Sequence, residues 1–382
     1  MVLLAWYVLL IILNSIYKRN KFLLVIDFVY MWILMGWSYG NADYAMYLRR
    51  YMYPETFGTL EPIYIIVEKF FGSLGYDYQI FLIVMSVICL IARFIVIQKI
   101  SSRPNQVIAL YLIYPFIMDI VQIRMFYATT FVLIAILLLR EAKKPISFVV
   151  VFAIILVATL IHNACIIYML LPLAKVLKKE RISKYSRRII IGIAVATALL
   201  ASGLLYSVGL IVARLAGFGQ KYVETIVAAG VAYKVTNRLV YMAEIILFFV
   251  IVNLICKQAR KMILSEKYYY KERAQGILMI DEIDFLEKCN YLLFLILPLA
   301  WFSGDIYRVQ HGFAIVIFMI VSNVIPISGS TSKNGKLKHN QIKLGFYTIG
   351  LAFVFMVLFM LLLPGLRETV FLPAFFNNKL IG

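Results

Sequence analysis

Arg124 and Arg308 each open a long apolar run, and each follows closely on an acid, Asp119 and Asp305 respectively. A guanidinium binds phosphate oxygens bidentately and keeps its charge at every working pH. Two of them suit a substrate with a diphosphate leaving group. Asp43, Glu61 and His162 could take a proton from an attacking hydroxyl. Asp43 ranks first, because Asn41, Tyr44 and Tyr47 give it surroundings typical of a sugar site. Gln122, Arg214, Arg238 and His311 complete the polar residues expected to meet the substrate, with Asp305 beside Arg308. Each has a plainer reading. Arg124 could pair with Asp119 for structure alone, Arg49 and Arg50 could snorkel to headgroups, and His162 could end a helix. No Walker A, paired CxxC, HExxH, GxSxG or acidic DxD-type motif occurs, so arginine is the expected electrostatic catalyst, and no metal or cofactor is expected.

These residues must be held by something. Of the 382 residues, 63% are apolar and 15% charged, against about 45–50% and about 25% in soluble domains. Mean hydropathy is +0.90. That excludes a soluble enzyme, a disordered chain and a disulfide scaffold, and leaves an all-α, polytopic transmembrane helical bundle. Cys89, Cys165, Cys256 and Cys289 lie in or beside apolar stretches and read as small buried hydrophobes. About twelve spans are predicted, at 2–17, 22–40, 79–98, 104–121, 124–140, 146–161, 163–177, 188–213, 238–256, 289–304, 306–326 and 343–363. The first is read as a retained span and not a signal peptide. Residues 61–75 read as an amphipathic helix at the outer leaflet after the second span.

The net charge of +19 could suggest nucleic acid. The basic residues instead gather in short runs between apolar stretches. With both termini outside, basic residues on the inner side outnumber those outside by more than two to one, as the positive-inside rule requires. Residues 1–382 then form a single integral membrane domain, with an outer loop at 41–78 and a cytoplasmic loop at 257–288. On this topology every polar cluster named above lies at or just below the outer face, whereas Asp27, Arg93 and Glu244 are the few charges deep in spans. An outer-leaflet enzyme has that one-sided pattern. A transporter needs polar residues at mid-membrane, and a scaffold needs no outer arginines.

Four stretches resemble, in order, the EpsG-like, Wzy-type polysaccharide polymerases: Asp43-Tyr44-Ala45-Met46-Tyr47 with Glu61-Pro62-Ile63-Tyr64, residues 123–139, residues 158–173, and Asp305-Ile306-Tyr307-Arg308. Met125 follows Arg124 where that pattern has Gln, and Gln122 is the available substitute. The resemblance implies a GT-C-like fold in the bacterial cytoplasmic membrane. It further implies outward-facing, metal-free transfer of undecaprenyl-diphosphate-linked oligosaccharide, with a flippase and a chain-length regulator as partners and no nucleic acid. An O-antigen-ligase-like transferase and a lipid-linked oligosaccharide flippase are the alternatives.

Overall fold

A computed structural model describes residues 1–54, 61–201, 235–264, 273–301, 304–324, 335–358 and 364–381. These residues are helical apart from connecting turns. In chain order the helices are α1 (Val2–Ile16), α2 (Lys21–Gly36), α3 (Tyr44–Met52), α4 (Pro62–Ser73), α5 (Tyr78–Ile100), α6 (Pro104–Ile113), α7 (Phe116–Val121) and α8 (Ile123–Glu141). Then come α9 (Pro145–Ile161), α10 (Leu173–Val176), α11 (Lys179–Ala201), α12 (Val235–Ile263), α13 (Arg273–Phe294), α14 (Arg308–Val324) and α15 (Gly335–Met356). A helical C-terminal segment covers residues 364–376.

Three helical stretches are long and apolar enough to cross a membrane, Tyr78–Ile100, Ile123–Glu141 and Arg238–Ile263, and shorter apolar helices accompany them. The protein is a helical membrane protein.

Local chemistry sets the helix starts. The Asn20 side chain accepts the Leu23 N–H to open α2, and the Asp77 side chain accepts the Ile80 N–H at 2.9 Å to open α5. Proline stands at the first position of α4, α6 and α9, where its missing N–H has no partner to lose. Pro115 has the opposite effect and divides the stretch expected as one span, 104–121, into α6 and α7. The expected span 163–177 is a 3₁₀ segment, Asn163–Leu170, followed by α10. The charged segment 257–288 is largely the end of α12 and the start of α13, joined where Arg260 donates to Asp284 at 2.7 Å and to Glu287 at 2.5 Å.

Two of the deep charges, Asp27 and Arg93, are spent on packing. Asn14 donates to Asp27 at 2.6 Å and accepts from Asn105 at 2.7 Å, so one polar triad ties α1, α2 and α6. Arg93 of α5 is 2% exposed. Its guanidinium donates to Thr130 at 2.9 Å, Tyr111 at 2.8 Å, Asp119 at 3.0 Å, the Phe126 carbonyl at 2.8 Å and Thr129 at 2.5 Å. One side chain thus fixes α5, α6, α7 and α8 together. Asp119 pairs with Arg93 and not with Arg124, the plainer reading of that pair, because Gln122 leaves helical geometry and turns α8 away from α7.

Helices α8 and α14 meet at Gly312. A Cβ there would lie 2.6 Å from Thr129 Cγ2 and 2.6 Å from the Tyr168 hydroxyl. The Tyr168 hydroxyl donates to the Val309 carbonyl at 2.5 Å, closing the same junction. At the other end of α14, Asn323 donates to the Ile100 carbonyl at 2.8 Å and accepts the Ser102 N–H at 2.7 Å.

The chain's C-terminal residues return to the segment between α2 and α3. The Lys379 N–H donates to the Trp37 carbonyl at 2.9 Å, and the Tyr39 N–H to the Asn377 carbonyl at 3.2 Å. Tyr7, near the start of α1, packs edge-on against Phe375 at 4.8 Å. Both ends of the chain therefore lie at the end of the bundle that carries α3. All four cysteines are buried, and none is in a disulfide.

Candidate active site

Two short helices build the site's floor. On α3, Tyr47 and Arg50 are buried and three residues apart, so they share one face, while the neighbouring Arg49 is exposed. On α4, Glu61 precedes the first turn and Tyr64 and Glu68 follow at helical spacing, all buried on one stripe. These faces meet, and the charges sort themselves there.

Glu61 is the hub. Its Oε2 accepts from Arg124 of α8 and, at 3.3 Å, from Arg50 of α3. Its Oε1 accepts the Asn163 N–H at 3.4 Å and lies 3.8 Å from Nδ1 of His162. His162 ends α9, and its Nδ1 accepts the Ala164 N–H at 3.3 Å. Arg50 also donates from Nε to Glu68 at 3.2 Å. Aromatic rings line the guanidiniums. Arg124 lies 4.9 Å above the Tyr47 ring and 5.9 Å from Tyr64, and Arg50 lies 4.9 Å from Tyr64.

The charges of Arg124, Asp43 and Arg308 all reach Tyr47, and burial holds its hydroxyl above the ordinary range, so it stays protonated. Burial likewise pushes the Glu68 carboxyl up to about 7 against the pull of Arg50.

Of the residues expected from the sequence, Glu61, Arg124, His162 and Tyr47 come together directly. Asp43 is half-buried one turn before Tyr47, at the start of α3. Asn41 caps that helix by accepting the N–H groups of Asp43 and Tyr44, so its side chain serves the fold. Tyr44 packs edge-on to Tyr78 and its hydroxyl accepts from Lys379 at 3.0 Å. Ser38, Asn41, Tyr44, Tyr47 and Tyr78 line a small cleft beside these groups. Gln122 is buried at the junction of α7 and α8.

The C-terminal half supplies a second wall. Arg308 is the first residue of α14, and Asp305 lies in the 3₁₀ turn just before it. Arg238 is buried near the start of α12, where Tyr241 stacks on Tyr307 at 4.9 Å. His311 is inside the bundle, ringed by Tyr307 at 4.6 Å, Tyr114 at 5.0 Å and Phe355 at 5.9 Å, and not at the Glu61 hub. Arg214 lies outside the described residues. Among the described residues no group of three His, Cys, Asp or Glu side chains is placed to hold a metal ion.

Sequence reasoning missed Arg50, Glu68 and Tyr64. The signal was present, since Glu61, Tyr64 and Glu68 fall at helical spacing in a stretch that starts with proline.

A carboxylate shared by two arginines thus sits at the mouth of α8, beside a histidine. The EpsG family model matches residues 21–373. The chain belongs to the EpsG family. Membership indicates a polysaccharide polymerase-like function acting on a lipid-linked saccharide in a membrane. No curated protein and no solved structure gives a match to the chain.

Proposed function

We propose that this EpsG-family protein is a polysaccharide polymerase. It joins undecaprenyl-diphosphate-linked oligosaccharide repeat units at the outer face of the bacterial cytoplasmic membrane, by metal-independent glycosyl transfer. The observation that carries the reading is the Arg124–Glu61–His162 constellation at the mouth of α8. An acceptor hydroxyl attacks the donor's anomeric carbon, a new C–O bond forms, and the bond from that carbon to the diphosphate oxygen breaks. Undecaprenyl diphosphate leaves with the electron pair. Arg124 and Arg308 offset the charge that grows on the leaving oxygen, and Arg238 and Arg214 stand behind them. Glu61, with His162 beside it, takes the acceptor's proton, and Asp43 orients that hydroxyl near Tyr44 and Tyr47. Gln122 and Asp305 support the arginines they adjoin, and His311 packs behind Arg308.

The fold in this reading is GT-C-like, with about twelve spans, both termini outside and residues 257–288 facing the cytoplasm. The shared location of both chain ends and α3 supports that topology. A flippase supplies the donor, and a chain-length regulator acts on the product. The commitment of Asp27 and Arg93 to internal partners favours a transferase over a transporter. Reconstitution of the purified protein with a lipid-linked repeat unit tests the reading. Polymerase activity gives a ladder of chain lengths on a gel. A single transfer product signals a ligase, and unchanged substrate on a functional donor sinks the proposal.

A further inference from the structure

In the state described here Arg124 is not open to a substrate anion, because Glu61 holds it. A diphosphate must take Arg124 from Glu61, and the displaced carboxylate must go somewhere. The two arginines on Glu61 differ in exposure. The Arg124 side chain is 18% exposed, whereas Arg50 is 7% exposed and lies on Glu68, which is 0% exposed. A substrate anion can exchange at Arg124 but cannot reach Arg50.

Arg50 also has a donor to spare. Its Nε is bonded to Glu68 and its Nη1 to Glu61, while its buried Nη2 has no hydrogen-bond partner among the described residues. A carboxylate bonded through one oxygen to one Nη of a guanidinium can turn to take a second N–H bond from the same group.

We propose, resting on the polymerase reading above, that Arg50 is the positioning residue for Glu61: it receives the carboxylate in a two-point bond when donor diphosphate takes Arg124. Donor binding then does two things at once. It fills the arginine that stabilises the leaving group, and it uncovers a carboxylate that was neutralised by that arginine. Glu61 then answers to one arginine instead of two and becomes a stronger base only when a donor is present, so the donor binds before transfer to the acceptor can begin. Glu68 and the Tyr64 ring hold Arg50 still during the exchange. The reaction itself is unchanged: Glu61 takes the acceptor proton and the diphosphate leaves with its electrons.

The test separates donor binding from turnover. Binding of radiolabelled undecaprenyl diphosphate to the purified protein is measured alongside kcat and KM for the lipid-linked repeat unit. Arg50→Gln should lower kcat by about 10–100-fold, the scale of a misplaced catalytic group, with donor affinity and donor KM within about two-fold of wild type. The double variant Arg50→Gln with Glu68→Gln removes both charges, leaves no unpaired ion behind, and should show the same split. Arg50→Lys keeps the charge but not the fork and should recover part of kcat. Arg124→Gln should instead lose donor affinity. A folded Arg50 variant with wild-type kcat overturns the inference, as does a parallel fall in donor affinity, which would put the donor on Arg50 itself. If neither Gln variant folds, the Lys variant decides on the same two readouts. A wild type that binds the lipid diphosphate but never polymerises refutes the polymerase reading, whereas exchange at Arg124 is still judged by the binding arm.

Discussion

Arg93 and Arg124 are both arginines of a membrane bundle, on the packed helices α5 and α8, and they have opposite surroundings. Arg93 is closed in, with hydroxyls, a carbonyl and Asp119 taking its donors from four helices. Arg124 has one carboxylate, which it shares with Arg50, and aromatic rings on its faces. A cation with all its donors used can only hold the fold. A cation with a shared partner and partial exposure can change partners. The comparison teaches that charge in a membrane protein is functional where its satisfaction is incomplete and replaceable, not merely where it is deep.

Removing Arg93 should have the largest effect. Arg93→Leu leaves Asp119 buried without its cation and should cost about 3–5 kcal/mol of stability. Thermal unfolding in detergent should show a large drop, with polymer lost because little protein assembles. An unaltered melting curve would show that the network is dispensable and would collapse the contrast.

Arg124→Lys should invert that result. The ammonium keeps the charge and loses the fork, so turnover should fall by about 10²–10³ while the melting temperature stays near wild type. Arg308→Lys belongs to the same class. Normal ladders from both Lys variants would make these arginines structural, and the two regions would no longer differ.

The smallest effect sharpens the outer cluster alone. Glu68 titrates near 7 when folded and at the ordinary carboxylate value of 4.5 otherwise. It holds its proton more tightly in the folded state, so the stability it contributes is full below pH 4.5 and fades as pH rises through about 7. Between pH 5 and 8 the wild type should therefore lose about 2–3 kcal/mol of stability relative to Glu68→Gln. Parallel melting curves across that range would place Glu68 outside this titration.

The helical class was readable, because long apolar runs report directly on helices packed in a membrane. Partner choice was not. Asp119 and Arg124 are near in sequence, but Gln122 breaks the helix between them and sends each to a different neighbour. Arg49 and Arg50 look alike in the sequence, but adjacent helical residues point about 100° apart, and only Arg50 turns inward. Contacts such as Glu61 with His162 join segments of the chain about a hundred residues apart, and no local pattern announces them.

Gly312 fixes how closely α8 and α14 approach near Arg124 and Arg308. Arg308 lies one turn before it on α14, and Thr129, which it touches, lies just over one turn after Arg124 on α8. The approach of the two helices is thus gauged by a hydrogen atom where every other residue has a carbon. Each carbon added at this position would act as a shim between the helices, and under the proposed function it would widen the bite offered to a diphosphate of fixed size.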